Sequence, residues 1–179
     1  MTKLLKEKKH TILRKFNKCF RSIDDLLTIN NDGFMDKWKH KIYPEELTLT
    51  CEDKNDQEVN FLDLHLVIRK QVLSYSLFDK RDHFNFPIVN FPNLSGNIPT
   101  AQSYGVFMAQ LIRYARGCQF VEDFQKRVQV LTKKLLSQHF KLTKLQTTFN
   151  KFLIKYNFLL TKYGNSLKTD LNQMRNRAA

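Results

Sequence analysis

Near residue 100 the spacing of apolar side chains changes, and that change limits the folds open to the chain. Upstream of Pro99 apolar residues alternate with polar ones; from Gln102 onward they recur every three or four positions. Alternation sends successive side chains to opposite faces of a strand, whereas the longer spacing gathers them on one side of a helix. Three segments alternate: LTLTC at 47–51, FLDLHLVI at 61–68 and VLSYSLF at 72–78. In the second, Leu62, Leu64, Leu66 and Ile68 share one face, and Phe61, Asp63, His65 and Val67 the other. The short polar break Arg69-Lys70-Gln71 joins the last two as an antiparallel hairpin. Downstream, Tyr104, Phe107, Met108, Leu111 and Ala115 mark one helix, and Phe120, Phe124, Val128, Leu131 and Leu135 a second. Leu145, Phe149, Phe152, Tyr156, Leu160 and Tyr163 mark a third. The expectation is an α+β protein, a small antiparallel sheet followed by a helical bundle.

Other segments fit around these. Residues 3–17 read as a basic helix with Leu4, Leu5, Ile12, Leu13 and Phe16 as a partial apolar face. CFRSIDDLLTI at 19–29 reads as a hairpin with Asp24 and Asp25 at or beside its turn, and a short helix over 34–42 stops before Pro44. FNFPIVNFPNLSGNIP at 84–99 is too rich in proline for a helix and reads as an ordered loop over an apolar surface. The tail beyond Gly164 is polar. Four regions are thus expected: a basic helix at 1–17, a sheet region at 18–100, a helical region at 101–164 and a tail at 165–179.

Composition supports a folded chain, with 42% hydrophobic and 26% charged residues and only five Gly and four Pro in 179. The net charge of +13 is unevenly placed. Residues 1–21 hold eight Lys or Arg against Glu7, and residues 126–179 hold twelve against Asp170, so the centre is net negative. Basic ends around an acidic centre suit a protein that grips a polyanion at its edges and gathers carboxylates where a cation binds. Cys19, Cys51 and Cys118 are far apart and odd in number, which argues against disulfides and zinc. The first residues lack a signal-peptide apolar core, so an intracellular protein is expected. No GxGxxG, GxxxxGK[ST], GxSxG or HExxH motif occurs, which removes the commonest nucleotide-binding and hydrolase readings.

The sharpest chemical feature is Asp24-Asp25, because neighbouring carboxylates at a hairpin tip repel each other unless a divalent cation lies between them. Polymerases use such groups to hold two Mg²⁺ ions about 3.5–4 Å apart. FRSIDDLL resembles the reverse transcriptase box, in which an aromatic residue, any residue and two aspartates lie between hydrophobic strands. Ser22 stands where that family has Tyr or Phe beside the nucleotide. Further blocks keep their order: NFLDLHLVI, LSYSLFDKRD, a Phe/Pro/Asn-rich stretch, NIP and LIRYARGC. Over about residues 18–160 the chain is similar to the Penelope-like retroelement reverse transcriptases.

The resemblance implies the end of a polymerase palm, a primer-gripping hairpin near Leu64 to Phe78, and a thumb. It implies RNA template, DNA primer, deoxynucleotide and Mg²⁺ as partners of the intact enzyme, with Asp24 coordinating metal and Asp25 supporting it. The family's first catalytic aspartate sits on a strand upstream of the box, and no such strand precedes Asp24 here. A fragment inactive by itself is therefore expected. Lys80 and Arg81 are candidates to clamp a phosphate, Arg113 and Arg116 share one helix side, and Lys133 and Lys134 lie among the basic helices after Lys126. The alternative is a non-catalytic basic nucleic-acid-binding module. Phe84, Phe86, Phe91, Tyr104 and Phe107 could stack on bases, but core packing is the favoured reading for all five.

Overall fold

A computed structural model describes residues 14, 16–31, 33–51, 57–86 and 88–164. Most of the expected helix at 3–17, and the tail after Gly164, lie outside the described residues. The chain forms two compact units, residues 1–62 and 63–179. Helices and two small antiparallel sheets make the fold α+β.

In the first unit, β1 (Cys19–Ser22) pairs antiparallel with β2 (Asp25–Thr28), from Cys19↔Thr28 to Ser22↔Asp25. Ile23 and Asp24 alone form the turn, with Ile23 in the left-handed region at φ 48°. A π-helical turn, Phe34–Trp38, then runs into α1 (Lys39–Ile42), which ends before Pro44 as expected. Gly33 begins it at φ 73°, a conformation that costs a side-chain-bearing residue more than glycine. Phe16, Phe34 and Trp38 are the core of this unit, with Phe16 edge-on to Phe34 at 6.3 Å and to Trp38 at 5.4 Å. β3 (Glu58–Phe61) closes the unit.

Two strand expectations need correction. LTLTC at 47–51 forms no strand. Its Leu47 N–H instead closes a turn on the Pro44 carbonyl at 3.1 Å, Leu47 is exposed, and only Leu49 packs against the core. Alternation without a facing backbone yields no ladder. FLDLHLVI is also not continuous: β3 ends at Phe61, Leu62 and Asp63 turn, and the next strand starts at Leu64. At φ 54° and 53% exposure, Leu62 leaves the face it was expected to share with Leu64.

The second unit starts with that strand, β4 (Leu64–Arg69), paired antiparallel with β5 (Val72–Leu77) from Leu64↔Leu77 to Arg69↔Val72. Lys70 and Gln71 both have positive φ, 50° and 65°, the signature of a type I′ turn whose twist matches the strands. The described residues of 84–99 then run on without strand or helix, pressing Phe91 and Leu94 onto the core.

Three helices follow: α2 (Thr100–Gly117), α3 (Val121–Leu136) and α4 (Leu142–Lys155), the last continued by 3₁₀ turns at Asn157–Leu159 and Thr161–Tyr163. Helix α2 packs against α3, α4 and β5. The apolar stripes read from sequence are buried as expected: Tyr104, Phe107, Leu111 and Ala115; Phe124, Val128, Leu131 and Leu135; Leu145 and Phe152. Phe120 is the exception, half-exposed just before α3, with Val121 buried in its place. Glu122 and Asp123 in the first turn of α3, and Lys133 and Lys134 in its last, complement the helix dipole. Below them Phe152 stacks on Phe124 at 6.2 Å, on Phe149 at 6.3 Å and on Tyr156 at 5.9 Å. No helix among the described residues is long and apolar enough to cross a membrane.

Candidate nucleic-acid interface

Asp24 and Asp25 sit at the tip of the β1–β2 hairpin, Asp24 in the turn and Asp25 opposite the half-buried Ser22. Both aspartates are exposed. Beside them Arg21 fastens the turn, its Nε donating to the Ile23 carbonyl at 3.2 Å while its guanidinium lies 5.7 Å from the Tyr43 ring centre. Among the described residues no cluster of three His, Cys, Asp or Glu side chains could hold a metal ion. Two exposed carboxylates supply few of the oxygens a divalent cation requires, so these residues by themselves do not fit a Mg²⁺ pair.

The basic candidates belong to the second unit, where the structure separates engaged cations from free ones. Arg81 is engaged: its Nε and Nη2 donate to the two carboxylate oxygens of Asp79 at 2.8 and 2.7 Å, and its backbone N–H to Asp79 Oδ1 at 3.1 Å. Those hydrogen bonds from Arg81 hold the Asp79 carboxyl down at about 2. Arg113 is engaged with Asp63, 2.9 Å away, and reaches Gln110 at 3.5 Å. Arg116, three residues on, is exposed.

A residue outside the expected set ties the cluster together. Arg127 pairs with Asp82 and donates to the Leu77 carbonyl at 2.8 Å, and Asp82 also faces Lys134 at 4.0 Å. Asp79, Arg81, Asp82, Tyr114, Arg127 and Lys134 thereby line one small cleft together with Asn90 and Phe91. Burial in this setting pushes the Tyr114 hydroxyl up. The signal for Arg127 is its place three residues after Phe124 and four before Leu131, on the flank of a buried stripe. Of the sequence candidates, Arg81 and Lys134 meet here; Lys80, Arg113, Arg116 and Lys133 are not part of the cleft lining.

Lys80, Lys126, Lys133, Lys141 and Lys151 are exposed and carry no ion pair among the described residues. Lys144 and Lys155 lie over the rings of Tyr104 and Tyr156. Lys162 is consumed structurally, its Nζ donating to the Cys118 carbonyl at 2.6 Å beside the Tyr163 hydroxyl, which donates to the same oxygen at 2.8 Å. The core reading holds for Tyr104, Phe107 and the half-buried Phe91, but not for Phe84 and Phe86, which are exposed. Comparison with known proteins returns no matching family model, no matching curated protein and no matching solved structure.

Proposed function

We propose that this chain is the palm-and-thumb portion of a retroelement reverse transcriptase, one that binds template and primer but does not polymerise by itself. The observation that carries the reading is Asp24-Asp25 exposed at the tip of a two-residue hairpin. Its context adds support: a second hairpin and then three helices follow in the order of the resembling family's blocks. Mg²⁺ and deoxynucleotide belong, in this reading, to an intact enzyme in which a further carboxylate from outside the described residues joins Asp24 and Asp25. Ser22 lies next to that site in place of an aromatic residue.

The part testable in this chain is its grip on a polyanion. Lys126, Lys133, Lys141 and Lys151 on and between α3 and α4 are free to meet phosphates, and each phosphate neutralised adds roughly −0.7 to −0.9 to the slope of log affinity against log salt. Fluorescence anisotropy with a labelled RNA/DNA hybrid should give a slope of about −3 or steeper, reduced by charge reversal at Lys126, Lys133 and Lys141. A flat salt response would remove the nucleic-acid reading. A second reading, a non-catalytic binding module, draws on the same lysines; equal affinity for the hybrid and for DNA duplex of the same length would favour it over the polymerase fragment.

A further inference from the structure

The aromatic residues of the 84–99 loop part company. Phe91 packs on the core with Leu94, whereas Phe84 and Phe86 stand 47% and 61% exposed. The two rings touch, their centres 5.2 Å apart and their planes inclined by 35°, so the pair shields its inner edges and presents its outer faces to solvent.

The segment that carries the rings also carries charge. The Phe84 N–H donates to the Arg81 carbonyl at 3.4 Å, so the first ring leaves directly from the Lys80–His83 turn. On the other side of the rings, Asn90 and Phe91 return to the cleft that holds Arg127 and Lys134. Lys80, Arg81, Arg127 and Lys134 bring four positive charges to this edge, and Asp79 and Asp82 offset two of them. The excess is positive, and its least committed members are the exposed Lys80 and the partly exposed Lys134, whose one ion pair among the described residues is the 4.0 Å approach to Asp82.

Exposed aromatic faces beside surplus cations match the two halves of an unpaired nucleotide. Every base has a π face that stacks on an aromatic ring with little regard to sequence, and every backbone phosphate attracts a cation. A duplex hides its base faces inside its own stack and gains nothing from such rings. Resting on the nucleic-acid reading above, we infer that Phe84 and Phe86 form a stacking platform for single-stranded nucleic acid, with Lys80 and Lys134 meeting its phosphates. It is distinct from the Asp24-Asp25 tip and from Lys126, Lys133, Lys141 and Lys151, which suit a duplex.

The test uses the full chain and three labelled probes: oligo(dT), a strand of the same length made of abasic sites, and an RNA/DNA hybrid. The wild type should prefer oligo(dT) to the abasic strand. Phe84→Ala with Phe86→Ala should weaken oligo(dT) binding about tenfold or more, since one stacked base is worth roughly 5- to 150-fold. It should leave the abasic strand, the hybrid, the salt slope and the melting temperature unchanged, and Trp at both positions should restore affinity. Lys80→Ala with Lys134→Ala should instead reduce the salt slope on oligo(dT) by about 1.4. Equal wild-type affinity for oligo(dT) and abasic strand would overturn stacking while leaving hybrid binding intact. Failure to bind any of the three would overturn both readings. Self-association lost in the double Phe variant, with oligo(dT) binding unaffected, would reassign the rings to contact between copies of the chain.

Discussion

Two glycines in α2 meet opposite surroundings, and replacing each by alanine should move stability in opposite directions. A methyl group on Gly105 would find no atom within 4 Å, so Gly105→Ala gains only helix propensity, about 1 kcal/mol. On Gly117 it would stand 2.7 Å from Cγ of Leu77, with both δ carbons at 3.0 and 3.2 Å. Leu77 is 6% exposed and branches at the atom struck, so the whole buried side chain must shift, or β5 must lift from the helix end. Overpacking of this kind costs about 1–3 kcal/mol and exceeds the smaller propensity gain at a helix terminus, for a net loss of about 1–2 kcal/mol. At about 4 °C per kcal/mol for a unit of this size, thermal melts should place Gly105→Ala roughly 4 °C above the wild type and Gly117→Ala about 4–8 °C below it. Leu77→Ala combined with Gly117→Ala should cost less than the two changes separately, because the smaller residue removes the clash. A rise in both glycine variants would refute the placement of Leu77 against the end of α2.

Phe124 is fully buried between Phe152 and Tyr163, so Phe124→Ala should cost about 3–5 kcal/mol, read from the urea midpoint at unchanged slope. The Asp79 carboxyl titrates at about 2 in the folded chain against an ordinary 3.8, and a depressed value means its contribution is complete above pH 4 and is lost as pH falls towards 2. Asp79→Asn should therefore be less stable than the wild type at pH 6, with the gap narrowing below pH 4 and closing only as pH falls through about 2 in denaturant melts; a constant difference from pH 6 down to that point would place Arg81 elsewhere.

The helices were legible in the sequence because burial alone determines them. A stripe such as Phe124, Val128, Leu131 and Leu135 has one physical meaning at helical spacing, and those residues are buried in α3. Strands are harder, since alternation states which face is apolar but not whether a partner exists. LTLTC alternates and finds no ladder, while the plainer Glu58–Phe61, overlapping the expected FLDLHLVI only at Phe61, becomes β3. The break at Leu62 depends on a left-handed backbone that leucine seldom adopts, and nothing local announces it. At the basic site, a count of cations could not tell which were already bound. Asp79 occupies Arg81, Asp63 lies fifty positions from Arg113, and Arg127 enters only because the fold carries Asp82 to it. Of the expected aromatic core, Phe84 and Phe86 failed because proline-punctuated backbone carries no period from which burial can be read.

The polar ties that fasten β4 and β5 to the helices have a kinetic meaning. Asp63 to Arg113 and Leu77 to Arg127 each span 50 positions, and Gln119, which meets both the N–H and the carbonyl of Tyr75, spans 44. The three helices, by contrast, follow one another across connections of a few residues. Loop-closure entropy therefore favours condensation of the helices first, with the hairpin arriving last on a surface already formed. By the same asymmetry it should leave first, opening as a unit while the helices stay closed, so that its amides exchange with solvent ahead of those in α3.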